Sequence, residues 1–498
     1  MANTSPSSKS DKKTQTQPKT KVRKLRKQLS KKNLKGTITS SGGIHSYSSR
    51  RQKAKKRKSL TTSMLAATIL LGSAGLVIAI SWISILFIFN PQQVNWLNSF
   101  LPLRAKITDH QKQRPHTLQK IQTEIKKQKR IPGKIIALEG DTYKSFLLPV
   151  FRQRHNCHSD CKNIVELRLY HLATDFEWQS LYKKYYHLTT QFSVTGPEEY
   201  EVIAPLVDAN VEENPGSSIP LPITEIGRFE KDAPGPGIWY YLRGKRSSGT
   251  NLTAYGYILH YNPKRRNLRP MIFWTSPTGD LPQWKQVTNG GDKELIVRQT
   301  IGLEPRLRIY QVEPSKFVVN PIKLSEISLK PPALKHKAYQ DALLIARNGL
   351  WTPAYEWLKF IEKQQKPKIS SVAKAQIDLI RLHSQLTTKL ADSSWASPSQ
   401  QVLAYLIDGR WGQALKVFEA SSQNAAEIRT LLKADKGRIE SRIDAALEIN
   451  PNRPEVQAWK ALMIASRQGT FQAYGWLNTQ SKIPDRAQTY IQNLLKQL

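Results

Sequence analysis

The spacing of hydrophobic positions changes four times along the chain. Residues 1–59 hold almost no aliphatic or aromatic positions. From Met64 to Phe89 the apolar run is continuous, inside an uncharged stretch from Ser59 to Leu103. Leu118, Ile121 and Ile125 then recur at helical spacing, which predicts a short surface helix closed by Pro132-Gly133. Between 135 and 328 the period falls to two. Val165-Glu166-Leu167-Arg168-Leu169 alternates, and so, less cleanly, does Tyr255 to Tyr261. Met271 to Trp274, Leu295-Ile296-Val297 and Leu307 to Val312 are further short runs between Gly, Pro and Asn turns. They predict a mostly-β, sandwich-like domain with one helix near Phe176 to Tyr186. Lys264-Arg265-Arg266 falls in a turn of that domain. Pro331-Pro332 marks the last change, and residues 333–498 have helical periodicity.

Hydrocarbon does not hydrate a backbone, so the run Met64–Phe89 predicts a helix that satisfies its own amides. At ~1.5 Å per residue it is roughly 39 Å long, enough to span a bilayer with some tilt. A buried core helix would need protein on every face. A cleaved signal peptide would need a shorter basic segment and an A-x-A-like site. The pattern favours a signal anchor that stays in place. Arg50, Arg51, Lys53, Lys55, Lys56, Arg57 and Lys58 precede it, and only Arg104 and Lys106 follow at comparable distance. The predicted topology is single-pass at the cell membrane, with the N-terminus cytoplasmic, those seven residues on anionic lipid and the bulk extracytoplasmic. Gly75 and Ala79 form a small-xxx-small pair suited to homodimer packing. The expected division is a disordered basic tail (1–59), a transmembrane helix (62–90), an interfacial segment and basic connector (91–134), the mostly-β domain (135–328) and helical repeats (333–498).

Charge sharpens this picture. The net charge is +38, and about +18 of it comes from the first 60 residues, with 19 Lys and Arg against Asp11. The remaining excess lies beyond the apolar run, so anionic surroundings are expected for both parts. Nucleic acid is a poor match for the tail, which lacks interleaved aromatics for base stacking. The two cysteines sit in His155-Asn156-Cys157-His158-Ser159-Asp160-Cys161. Outside the cytoplasm the simplest reading is a Cys157–Cys161 disulfide. A metal site with His155 or His158 and a pair of free thiols are the alternatives.

Three stretches beyond Pro332 share a signature. Each has an apolar helix, then Gly, one residue, an aromatic and, shortly after, Ala. They are Gly349/Trp351/Ala354, Gly409/Trp411/Ala414 and Gly469/Phe471/Ala473. Glycine supplies the left-handed turn that closes a helix. The aromatic wedges between helices, and alanine lets them approach. The glycines fall about sixty residues apart with Gly437 between the last two, consistent with a stacked array of period roughly thirty to thirty-four. This turn, together with Ala445 to Trp459 (AALEINPNRPEVQAW), resembles the tetratricopeptide repeat over residues 333–498. The stretch Ser370 to Ser399 departs from that pattern, because its Gly and Pro signals are missing. The resemblance implies a concave surface for peptides or proteins and implies no catalysis.

No P-loop, G-x-G-x-x-G, H-E-x-x-H or G-x-S-x-G is present, and Ser371-Val372-Ala373-Lys374 stands without companion motifs. No catalytic residue, cofactor or metal is therefore assigned. The sequence points to a membrane-anchored binding or scaffold protein that presents its β domain and repeats to a protein or peptide partner. The second reading is a glycan- or cell-wall-binding envelope protein. In that reading Trp239, Tyr240, Tyr241, Tyr255, Tyr257, Tyr261, Trp274 and Trp284 supply the sugar-stacking face.

Overall fold

Period-two alternation builds three antiparallel sheets that stack on one another. The computed structural model describes residues 114–138, 144–154, 161–174, 183–204, 217–229, 233–248, 251–315, 321–365, 369–480 and 483–498, all within the unit Pro91–Leu498. Sheet 1 holds β1 (His116–Thr117), β2 (Ile131–Pro132), β3 (Ile136–Ala137), β4 (Ser145–Gln153), β5 (Lys162–Leu172) and β6 (Tyr185–Ser193). Its order is β1-β6-β5-β4-β2, with β3 also on β4. Sheet 2 is β10-β9-β8-β7, from β7 (Glu225–Arg228), β8 (Ile238–Ser248), β9 (Asn251–Asn262) and β10 (Asn267–Ser276). Sheet 3 is β11-β12-β13-β14, from β11 (Gln283–Lys285), β12 (Glu294–Arg298), β13 (Leu307–Pro314) and β14 (Ile322–Glu326).

Sheet 2 is the middle layer. Tyr240, Leu242, Tyr255 and Leu259 face Leu147, Leu167 and Leu169 of sheet 1. Their neighbours Trp239, Ala254 and Ile258 face Trp284, Leu295, Val297 and Tyr310 of sheet 3. Adjacent strand residues point to opposite faces, so a sheet covered on both sides is apolar at successive positions. Sheet 1 is closed on its outer side by α1 (Leu118–Lys127), whose Ile121 and Ile125 pack on Phe146, Leu148 and Val150. This helix and β1 and β2 belong to the β domain, which therefore begins before residue 135. The helix expected near Phe176 to Tyr186 is corrected where it is described: Tyr185 and Tyr186 open β6, and residues 175–182 lie outside the described residues. A short α2 (Glu199–Ile203) precedes sheet 2, and the Lys264-Arg265-Arg266 turn is exposed between β9 and β10.

Helices occupy the rest: α3 (Lys337–Arg347), α4 (Trp351–Gln365), α5 (Ser371–Asp392), α6 (Pro398–Asp408), α7 (Trp411–Glu419), α8 (Ser422–Ala434), α9 (Arg438–Ile449), α10 (Pro454–Gln468), α11 (Thr470–Thr479) and α12 (Asp485–Leu495). Gly349, Gly409 and Gly469 have positive φ of 84°, 78° and 99°, but only Gly409 has the full left-handed conformation described for it, and Gly469, with ψ of 158°, is extended instead. Ala354, Ala414 and Ala473 are fully buried. The aromatics diverge. Trp411 is buried and Trp351 half-buried, whereas Phe471 is 83% exposed and wedges nothing. The third turn has one residue fewer between aromatic and alanine, which rotates Phe471 off the core face. The helices are also not a one-dimensional stack. α10 touches α7, α8, α9, α11 and α12, and α9 returns to pack on α3.

The fold class needs one further correction. Among the described residues no helix is long and apolar enough to cross a membrane. The longest, α5, spans 22 residues but carries Lys374, Asp378, Arg381, Lys389 and Asp392. The expected transmembrane helix, and with it a single-pass, signal-anchor protein of the cell membrane with its bulk outside the cytoplasm, is therefore not supported. Met64–Phe89, the Gly75/Ala79 pair and the basic residues Arg50, Arg51, Lys53, Lys55, Lys56, Arg57 and Lys58 lie outside the described residues. The described fold is a helix-capped stack of three sheets followed by ten helices.

Candidate functional site

The helix that lacks the repeat signature is the one that joins the helices to the β stack. Ala375 and Leu379 of α5 are buried against Val287, Ile296, Ile309 and Ile327 on the outer face of sheet 3. Polar contacts fix the register. His383 Nε2 accepts the Leu307 N–H at 3.0 Å, and Arg381 Nη2 donates to the Val287 carbonyl at 3.0 Å. Gln376 donates to the carbonyls of Ser328 and Pro331 at 2.7 and 2.9 Å.

Where α5 meets sheet 3, the start of α9 and the α3–α4 turn close a cleft of about 590 Å³. Its lining carries Arg306, Arg308, Arg347, Lys436, Arg438 and Arg442 against Glu304 and Glu326. Six basic side chains therefore face two acidic ones. Both acids are already engaged: Glu326 takes the Arg308 guanidinium through both oxygens, and Glu304 pairs with Arg442.

Arg442 is the most constrained of these groups. It is 4% exposed and sits over the bare backbone of Gly349, where an added Cβ would come within 2.7 Å of Nη2. A side chain there would displace the guanidinium, so the turn glycine also makes room for a cation. Nη2 reaches Glu304, while Nε and Nη1 are buried without a hydrogen-bond partner. A buried unsatisfied donor costs about 1–3 kcal/mol, and more when charged. An anion that reaches those two N–H groups would recover that cost.

Among the described residues His383, the one histidine in the cleft lining, is already engaged. His383 is 1% exposed and stacked on Trp351, with ring centroids 4.0 Å apart. Nδ1 is 2.9 Å from the Leu379 carbonyl and Nε2 takes the Leu307 N–H, so the ring is the Nδ1–H tautomer with both nitrogens used. Burial pushes its pKa down to about 4, and it is neutral at pH 7. The N-terminus of α9 is also satisfied: the Asp435 carboxylate accepts from the N–H groups of Gly437, Arg438 and Ile439. Among the described residues no cluster of His, Cys, Asp and Glu could hold a metal ion.

The residues singled out in the sequence fare unequally. Gly349 and Trp351 line the cleft; Gly409, Trp411, Ala414, Phe471 and Ala473 do not. Cys161 is in a disulfide, and Cys157 lies outside the described residues. Most of the aromatic face proposed for sugars is interior: Trp239, Trp274 and Trp284 are 1, 2 and 5% exposed and Tyr240, Tyr255 and Tyr261 are fully buried, while Tyr241 and Tyr257 are half-buried. Sequence reasoning missed Arg442, Arg308 and His383. The one available signal was the break in the repeat pattern between Ser370 and Ser399, which contains His383. No protein-family model, curated protein or solved structure matches the chain.

Proposed function

We propose that this is a non-catalytic binding protein that takes an acidic segment of a partner protein into the cleft between sheet 3 and the helices. The observation that carries this reading is the pair of buried, unpartnered N–H groups on Arg442 in a lining with basic excess. Carboxylates are the natural complement to such donors, and charge-assisted bonds to them are the strong ones. The two walls are joined by side-chain to backbone hydrogen bonds, so the cleft is preformed and loses little entropy on binding. The resemblance of the helical part to a peptide-binding repeat supports a protein partner over a small ion.

The test uses the purified full chain and fluorescence anisotropy with labelled hexaglutamate and hexalysine. Hexaglutamate should bind with an affinity that falls as salt rises, and Arg442→Met should weaken it at least tenfold, about 1.4 kcal/mol. Hexalysine should not bind. Equal binding of hexaglutamate by wild type and Arg442→Met, with unchanged melting temperature, would remove the cleft from the account.

A further inference from the structure

Farther along α5 the same helix overhangs the sheet. Its apolar stripe runs Ala375, Leu379, Leu382, Leu386 and Leu390. The first two are buried on sheet 3. Leu382, Leu386 and Leu390 instead form one wall of a groove of about 340 Å³, with Leu281, Ile296 and Leu307 on the sheet side. Register places Gln283 of β11 opposite Ile296 of β12 in an antiparallel pair, so Lys285 and Arg298 lie two residues from that pair in opposite directions, on the face that looks at α5. Lys285, Arg298 and Lys389 are exposed, line the groove, and make no ion pair among the described residues. Among the described residues no acidic one lines it.

An apolar trough edged by cations alone selects a ligand with one long apolar part and one negative end. We propose that this groove binds a monomeric long-chain carboxylate. Its acyl chain lies along Leu382, Leu386 and Leu390, and its head lies against Lys389 at the end of that stripe, with Lys285 and Arg298 flanking the trough. The absence of acids among the described lining residues disfavours amines, and the cations flank the trough on flexible stems whose methylenes cover the chain. The site stands apart from Arg442, so it holds whether or not the cleft takes acidic peptides.

Titration calorimetry of the full chain with straight-chain carboxylates of eight, ten and twelve carbons, below their micelle concentrations, tests this. Affinity should rise up to about fourfold per methylene, the ratio that corresponds to ~0.8 kcal/mol per buried CH₂. The methyl ester and the alkylamine of equal length should bind at least tenfold more weakly. Lys389→Glu, an exposed change that leaves the core intact, should weaken the carboxylate several-fold, and Leu386→Asp should abolish binding. Arg442→Met should leave it unchanged. No chain-length dependence, equal binding of ester and acid, or full retention in Lys389→Glu would each overturn the assignment. So would heat seen only with anionic vesicles or hexaglutamate.

Discussion

Sheet 3 has two faces, and they are built differently. The face toward sheet 2 is an aromatic interior, where Trp239 lies 4.9 Å from Trp284 and 4.6 Å from His260. The face toward α5 is aliphatic and thin, with a few Ile, Leu and Val contacts stitched by His383, Arg381 and Gln376 and flanked by three cavities. The first resembles the inside of a domain. The second resembles a contact between two domains, which is typically more polar and less complete. Binding sites gather at the second kind because only there do charged groups and unfilled volume coexist.

The largest effect should come from the first face. Trp239→Ala removes a side chain that is 1% exposed and donates Nε1–H to the Pro234 carbonyl at 2.9 Å. A loss of about 3–5 kcal/mol is expected in denaturant unfolding, with the cavity adding to the lost burial. A loss below about 1 kcal/mol would mean the interior is less tightly packed than described.

The second face should be acid-sensitive. Burial holds His383 and His171 down to about 4, with Arg266 adding to the shift at His171. Unfolded, each takes its proton near 6.5. Between those values the unfolded chain binds more protons, so stability is full above about pH 6.5 and falls as pH drops toward 4. Protonated His383 also ceases to accept from Leu307. His383→Gln should cost about 1–3 kcal/mol at pH 7 and reduce the slope of stability between pH 6.5 and 4, leaving the part due to His171 and to His260, whose pKa burial also lowers. An unchanged slope would acquit this face. The smallest effect belongs to Phe471→Ser, at a site that is 83% exposed, where the change should stay within about 0.5 kcal/mol.

The alternation of Val165-Glu166-Leu167-Arg168-Leu169 was legible as a strand, yet it left open what covers Glu166 and Arg168. Both are buried beneath α1, where Arg130, Gln191 and Gln128 satisfy them. A period of two reports that a strand has two faces and not what covers them. The turn glycines were legible because a left-handed φ restricts residue type locally. The cleft was not, because its central pair, Arg442 and Glu304, lies 138 residues apart and each looks like an ordinary surface charge in its own segment. A β stack with no membrane-crossing helix among the described residues was likewise invisible from Met64–Phe89, whose apolarity says nothing about the elements that follow.

Pro331-Pro332 looks like a natural place to cut the chain, but α5 makes the halves inseparable in water. A fragment begun at residue 333 would keep α3 to α12 and still expose Ala375, Leu379 and Leu382 as a bare stripe, while its counterpart would lose the cover over Ile296, Ile309 and Ile327. Each piece would carry a sticky edge shaped for the other, and apolar faces of that kind drive self-association. Modularity in this protein is a property of the sequence pattern and not of the folded molecule. Any dissection of the cleft and the groove has to be done by point substitution in the intact chain.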